Sequence, residues 1–191
     1  MDDINDFAAF GEKLADASGE IVLSYWRSQL EVIRKSDESP VTRADREAEK
    51  KIRELIEAEY PHHGISGEEF GNVRLDAEYI WSLDPIDGTK AFISGSPLFG
   101  TLIALLKNGV PMMGIINRPA TGERWIGGKD LPANLNGVEV RVRKGLALSE
   151  ATLASTSPKM FLGKDAERIQ RVQDKVKLPI FGGDCYLYGM L

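Results

Sequence analysis

Residues 81–94 read WSLDPIDGTKAFIS. An apolar run that begins upstream, in EYIWSLD (78–84), feeds directly into Asp84, Pro85, Ile86 and Asp87, and Gly88–Thr89 follow at once. The run reads as a buried strand that stops at Pro85, because proline has no N–H to give to a ladder. Two carboxylates left in one tight turn repel and raise each other's pKa. A divalent cation removes that cost. Mg²⁺ takes oxygen ligands at roughly 2.0–2.1 Å, commonly one or two carboxylates completed by water and substrate phosphate. Pro85 stiffens the loop and leaves the Ile86 carbonyl free to face an ion. Gly88 and Thr89 open the next element, where backbone N–H groups suit an anion and the Thr89 hydroxyl can orient a water. The stretch therefore suggests metal-assisted phosphate chemistry. Asp-Pro and Asp-Gly are also ordinary turn pairs, so a plain turn is the competing reading.

A second acidic site lies upstream, in GISGEEF (64–70). By itself Glu68–Glu69 reads as a solvated loop. It precedes the Asp84–Asp87 knot by one short strand, however, and an antiparallel return would bring the two loops together. Glu68 then adds a third carboxylate and helps to activate a water. In SPVTRAD (39–45) the Thr42-x-x-Asp45 spacing fits a capping box. Asp45 can also serve as a base behind Thr89, and the two readings are compatible. Lys35, just before this loop, reads as a surface lysine. His62 and His63 beside Pro61 read as an exposed loop, since hard Mg²⁺ sites favour oxygen over imidazole. Cys185 has no partner motif and reads as structural.

Around these loops the periodicity gives the architecture. Ile4, Phe7, Phe10, Leu14, Ala17, Ile21 and Tyr25 recur at helical spacing and predict a helix over about 4–30. A second helix is expected over 44–59, with Ala48, Ile52, Leu55 and Ile56 inside. Residues 99–128, FGTLIALLKNGVPMMGIINRPATGERWIGG, predict a meander of three strands, turned at Asn108–Gly109 and Thr121–Gly122. NGVEVRVRK (136–144) alternates valine with charge and predicts a half-wet strand. From about Ala147 the texture shifts: a strand in EATLASTSP (150–158), a helix in KDAERIQRVQDKV (164–176), then strand, glycine turn and helix start in LPIFGGDCYLYGML (178–191). The order implies a layered α+β fold, N-terminal helices on an antiparallel sheet. Residues 1–147 would form the metal- and phosphate-binding domain, and 148–191 the incomplete start of an α/β domain.

The 191 residues carry 24 basic and 29 acidic side chains, a net charge of −5. No basic stripe is present, which argues against nucleic acid as a partner. A single cysteine excludes an intramolecular disulfide and fits a reducing compartment. The start, MDDINDF, lacks the features of a secretory signal. Runs such as TLIALL (101–106) are too short to span a bilayer. A cytoplasmic protein without a membrane partner is the expectation.

In order, SPVTRAD, GEE, WSLDPIDGTKAF and the strands of 99–128 resemble the Mg²⁺-dependent, lithium-sensitive inositol monophosphatase superfamily. FISGSPLFGTLIAL (92–105), STSPKMF (155–161) and GGDCYLYG (182–189) look most like its histidinol-phosphatase branch. The resemblance implies a two-part layered sandwich and a homodimer. It implies two or three Mg²⁺ ions held by Glu68, Asp84, the Ile86 carbonyl and Asp87, and phosphate held by Gly88 and Thr89. Glu68 and Thr89, with Asp45 behind, would activate the attacking water. Asp184 would recognise the alcohol part of a small phosphate ester, suiting a cationic amino alcohol such as histidinol phosphate, and Lys35 would lie near the site. The family's later segment with a further metal-binding aspartate is not in this sequence, so a piece of a longer protein, itself weak in metal binding, is expected. The competing functions are hydrolysis of inositol monophosphate, fructose 1,6-bisphosphate or 3′-phosphoadenosine 5′-phosphate, and a non-catalytic metal- or phosphate-binding module.

Overall fold

The structure, a computed structural model, describes residues 3–27, 32–34 and 40–191, with backbone alone for 32–34 and 40–42. Helix α1 (Ile4–Tyr25) is capped by Asp3, whose carboxylate accepts the Asn5 N–H at 3.0 Å. Its buried face runs through Phe7, Phe10, Leu14, Ala15, Ser18 and Val22. Ala17 and Ile21 of the apolar spacing are half-buried, and Ile21 packs against a second buried cluster around Val22 and Phe92. The buried face also carries a polar link: Ser18 Oγ lies 3.1 Å from Thr101 Oγ1 in the sheet below. The helix also stops at Tyr25, short of residue 30, where Arg27 takes a left-handed φ of 61°. After the short pair β1 (Val32–Arg34) and β2 (Pro40–Thr42), helix α2 runs Arg43–Glu59. Ala44, Ala48, Ile52 and Ile56 form its fully buried stripe. Asp45 and Glu49 flank that stripe one turn apart, and both are buried.

The strands β3 (Gly64–Gly67), β4 (Gly71–Val73), β5 (Tyr79–Asp87), β6 (Gly100–Lys107), β7 (Val110–Arg118), β8 (Glu123–Gly128), β9 (Leu131–Leu135) and β10 (Val138–Glu139) build one sheet. Its order is β10-β9-β8-β7-β6-β5-β3-β4. The predicted meander is β6–β7–β8, turned at Asn108 and Gly109 with φ of 50° and 78°. Every neighbouring pair in this sheet is antiparallel except β3 with β5, which are parallel. The sheet is therefore mixed. The strand expected over 136–144 shrinks to β10, and beyond it residues 141–150 are exposed. Strand β5 does not stop at Pro85. It continues to Asp87 through a register shift against β6, a position where a missing N–H is tolerated.

Strands β11 (Thr152–Ser155) and β12 (Leu178–Phe181) pair in parallel across helix α4 (Lys164–Gln173). The short helices α3 (Thr89–Ile93) and α5 (Cys185–Gly189) complete the chain.

Helices α1 and α2 cover one sheet face. Alternate residues Trp81 and Leu83 of β5, Ile103 and Leu105 of β6, and Met113 and Ile115 of β7 meet Phe7, Phe10, Leu14, Ile52 and Ile56. A second cluster, Val22, Ala44, Ala48, Ile86, Phe92 and Phe99, lies under the Asp84–Asp87 turn. His63 is not in an exposed loop, whereas its neighbour His62 is exposed. Its ring stacks between Tyr60 and Tyr79, with centroids at 4.5 and 5.0 Å, and its Nδ1 accepts the Trp81 indole N–H at 3.2 Å. That position makes it part of the core edge.

Candidate active site

The acidic knot is anchored from below. Thr101 Oγ1 donates to the Pro85 carbonyl at 2.8 Å and contacts Ser18 of α1. Pro85 and Ile86 are buried, so the turn cannot flex freely, and the carboxylates on either side are aimed by the core. Thr89 Oγ1 donates to the Ile86 carbonyl at 3.2 Å. The Asp84 carboxylate accepts the Ile86 N–H. Asp87 Oδ2 accepts the Cys185 N–H at 2.6 Å, which ties the knot to α5.

Gly88 caps α3 at φ 86°. A side chain there would put its Cβ 2.8 Å from the Leu98 carbonyl oxygen and 3.0 Å from Asp184 Oδ2. The first N–H groups of a helix have no partner within it, and at α3 they open beside the acidic knot. Gly88→Ala is expected to lower stability by about 1–2 kcal/mol through the left-handed backbone alone. Thermal unfolding with and without inorganic phosphate would read both the strain and the loss of the open approach.

Glu68 reaches the knot by a route other than the expected antiparallel return. Strand β3 runs parallel to β5 with Gly67 opposite Leu83. The next residues, Glu68 just past the end of β3 and Asp84 within β5, therefore lie side by side. Strand β4 turns back outside β3 as the edge, so β5 is free to take the inner place, where its apolar residues are covered. Asp45, 5% exposed, approaches from the first turn of α2. The Asp84 carboxyl is pushed up to about 7 by burial, then by the charges of Asp87, Glu68 and Asp45. The four carboxylates thus share one electrostatic neighbourhood.

That neighbourhood suits a hard divalent cation by donor type and by charge. Among the described residues, no three His, Cys, Asp or Glu side chains already converge as a ligand set. The arrangement is a crowded anionic cleft.

Asp184, at φ 40°, precedes α5 and brings its carboxylate over Gly88. Burial and the Asp87 charge raise its pKa, while a hydrogen bond from Thr156 and the Lys90 charge pull it down. Cys185 is buried, and burial together with Asp87 raises its thiol pKa. Lys35 lies outside the described residues, as does the Thr42 side chain expected to cap α2.

Two groups escaped the sequence reading. Arg118, 2% exposed, pairs with Glu123 at 2.5 Å, donates to the Pro97 carbonyl at 2.9 Å and stacks 3.6 Å from the Tyr186 ring centroid. It fastens α5, and with it Asp184, to the end of β7. Its ion-pair partner five residues on was a usable signal; the stacking partner 68 positions on was not. Glu49 is the other, hinted at by an acid four residues after Asp45 on the buried face of α2.

With this fold and acidic cleft in view, the chain belongs to the inositol monophosphatase family, which it matches over residues 3–187. It is 47% identical over 191 residues to the bifunctional phosphatase IMPL2, chloroplastic, of Arabidopsis thaliana, covering 99% of this chain and 55% of that protein. It is 38% identical over 176 residues to a histidinol-phosphatase of Chlorobaculum parvum, covering 91% of this chain and 68% of that one. Among solved structures it resembles an inositol monophosphatase from Zymomonas mobilis, with a TM-score of 0.88 and 44% identity, over all of this chain and 74% of that one. The chain thus spans little more than half the length of the Arabidopsis relative. Among the described residues no helix is long and apolar enough to cross a membrane.

Proposed function

We propose that this chain carries the metal- and phosphate-binding half of a Mg²⁺-dependent phosphate monoester hydrolase whose substrate is L-histidinol phosphate. The observation that carries the reading is the crowding of Asp45, Glu68 and Asp87 around the half-buried Asp84, beside the open first turn of α3. Glu68, Asp84, Asp87 and the Ile86 carbonyl would hold the metal. Bound Mg²⁺ offsets phosphate charge and lowers the pKa of the attacking water.

The rest is done by the chain itself. The N–H groups of Gly88 and Thr89 bind a phosphate oxygen. Thr89 Oγ1 directs its proton to the Ile86 carbonyl, so its lone pairs face outward to accept from a water. Glu68, more exposed than the other three carboxylates, takes that water's proton, with Asp45 behind Thr89 as the orienting charge. The water attacks phosphorus opposite the ester oxygen, the bond from phosphorus to that oxygen breaks, and the oxygen takes a proton from solvent and departs as the alcohol.

Asp184 supports the choice of substrate. Its carboxylate overhangs Gly88, where the alcohol of a bound ester would lie, and a carboxylate there favours a protonated amine over a neutral polyol. The histidinol-phosphatase name of the Chlorobaculum relative agrees. The second reading, inositol monophosphate, is favoured by the name of the Zymomonas neighbour. We also propose a division after residue 147, supported by the exposed run 141–150 and by the separate β11–β12 pair.

Phosphate release from L-histidinol phosphate, inositol 1-phosphate and fructose 1,6-bisphosphate, in Mg²⁺ and in EDTA, tests the reading. The assay should use this chain and any longer form that contains it. Mg²⁺-dependent release with histidinol phosphate preferred is expected. Preference for inositol phosphate would discard the substrate and keep the chemistry. No release from any ester in either form would overturn both.

A further inference from the structure

We propose that Glu49 is a positioning residue that holds the Glu68 turn against the other carboxylates, so that the cleft is set for a cation before one arrives. This rests on the metal-phosphatase reading above. The hairpin of β3 and β4 closes on the turn Glu68–Glu69–Phe70, with Gly67 opposite Gly71. These strands are four and three residues long, and β4 is the sheet edge. The ladder alone gives such a tip little rigidity.

Glu49 supplies what the ladder lacks. Its side chain is fully buried, and it points from α2 into the turn. Oε2 accepts the Glu69 N–H at 2.7 Å and Oε1 accepts the Phe70 N–H at 3.1 Å. Two consecutive backbone N–H groups thus close on one carboxylate, a concave anion seat. Arg53, one turn further along α2, donates from Nε to Glu49 Oε1 at 2.8 Å and from Nη2 to the Gly71 carbonyl. Both ends of the turn are therefore fixed to one helix. The guanidiniums of Arg46 and Arg53 lie over the Phe70 ring, at 4.7 and 5.9 Å from its centroid. Gly67 is needed for this approach, because a Cβ there would collide with Glu49 Oε1.

The reason this touches the site is electrostatic. Glu68 and Asp84 repel each other without a metal, and the repulsion drives the turn outward, away from Asp84. Charge-assisted hydrogen bonds to the two amides oppose that movement. The same helix carries Asp45 one turn before Glu49. α2 thereby fixes two of the four carboxylates of the cleft at once, Asp45 directly and Glu68 through Glu49. Outer partners of this kind, which orient ligands without touching the ion, change metal affinity by about 10- to 100-fold when removed.

The test compares the wild-type chain with Glu49→Ala and Glu49→Gln, and uses Ile52→Val as a core trim on the same helix. Three quantities are read: amide hydrogen exchange at Glu69 and Phe70 in EDTA, the Mg²⁺ dissociation constant by calorimetry, and the melting temperature. The expected result for Glu49→Ala is faster exchange at Glu69 and Phe70, unchanged exchange at Leu83 and Leu105, and Mg²⁺ binding weakened about 10- to 100-fold. Glu49→Gln, which keeps one acceptor oxygen, falls between. Ile52→Val lowers the melting temperature and leaves Mg²⁺ binding alone. A Glu49→Ala chain that melts lower but binds Mg²⁺ like wild type would overturn the proposal, leaving Glu49 only a fold-stabilising residue. Unprotected Glu69 and Phe70 amides in wild type would overturn it too, and that measurement stands even if Glu49→Ala does not fold. A wild-type chain that protects both amides, when neither it nor a longer form containing it binds Mg²⁺, would strike down the metal-phosphatase reading and leave the clamp as a feature of the turn.

Discussion

Asp87→Asn is expected to cut Mg²⁺-dependent phosphate release by about a thousandfold while leaving the fold intact. Charge stabilisation by a catalytic metal amounts to several kcal/mol, and about 4 kcal/mol is a factor of a thousand. The local geometry says why the loss falls on this residue. Asp87 Oδ2 is already taken by the Cys185 N–H at 2.6 Å. An asparagine keeps that bond only by turning its carbonyl oxygen toward Cys185. Its NH₂ group then faces the cleft, where it cannot ligate a cation. The substitution also removes the largest charge acting on Asp84, so in EDTA the variant should melt no lower than wild type. Equal folding with lost turnover would locate Asp87 at the ion. Turnover near the wild-type level would remove Asp87 from the proposed chemistry, and with it the reading of the knot as a metal site.

Much of this arrangement was legible in the order of residues. The apolar spacing in α2 follows from burial on one face and places Ala48, Ile52 and Ile56 inside, and the three-strand meander of 99–128 is β6–β7–β8. The Asn108–Gly109 turn was legible because few pairs accept two positive φ angles. What failed did so where long-range partners decide. Pro85 looked like the end of a strand, but a register shift against Gly100–Leu102 carries β5 past it. Glu68 and the knot do converge, but through a parallel pairing that depends on β4 leaving to the outside, which no local pattern encodes. His63 reads as a loop residue until Tyr60, Tyr79 and Trp81 close around it. Ser18 is buried on the inner face of α1, where its hydroxyl meets that of Thr101, 83 positions away. Glu49 was not legible as a site residue, because the backbone it meets lies 20 and 21 positions on. Only the amides of Glu69 and Phe70 give it a purpose.

Asp84 carries the second large effect, this time on stability. Its carboxyl is raised from 3.8 to about 7, first by burial and then by Asp87, Glu68 and Asp45. A raised acid favours the folded state while it is protonated. The contribution is therefore fully present below the unfolded value near 4 and is lost as pH rises through about 7. The difference sets an upper bound of about 4 kcal/mol on the penalty that metal-free protein carries at pH 8. Asp84→Asn should accordingly melt higher than wild type at pH 8 in EDTA, with the gap closing by pH 4. Mg²⁺ should reverse the order. A ligand that binds only the folded state stabilises it in proportion to the logarithm of its excess over the dissociation constant. Wild type should gain that increment at pH 8 and little at pH 5, where protons compete for Asp84. Asp84→Asn should gain little at either pH. Melting curves at the two pH values, with and without Mg²⁺, give all four comparisons. A wild-type chain whose metal-free stability is the same as that of Asp84→Asn at pH 8 would mean that the four carboxylates do not share the crowded cleft from which the function is argued.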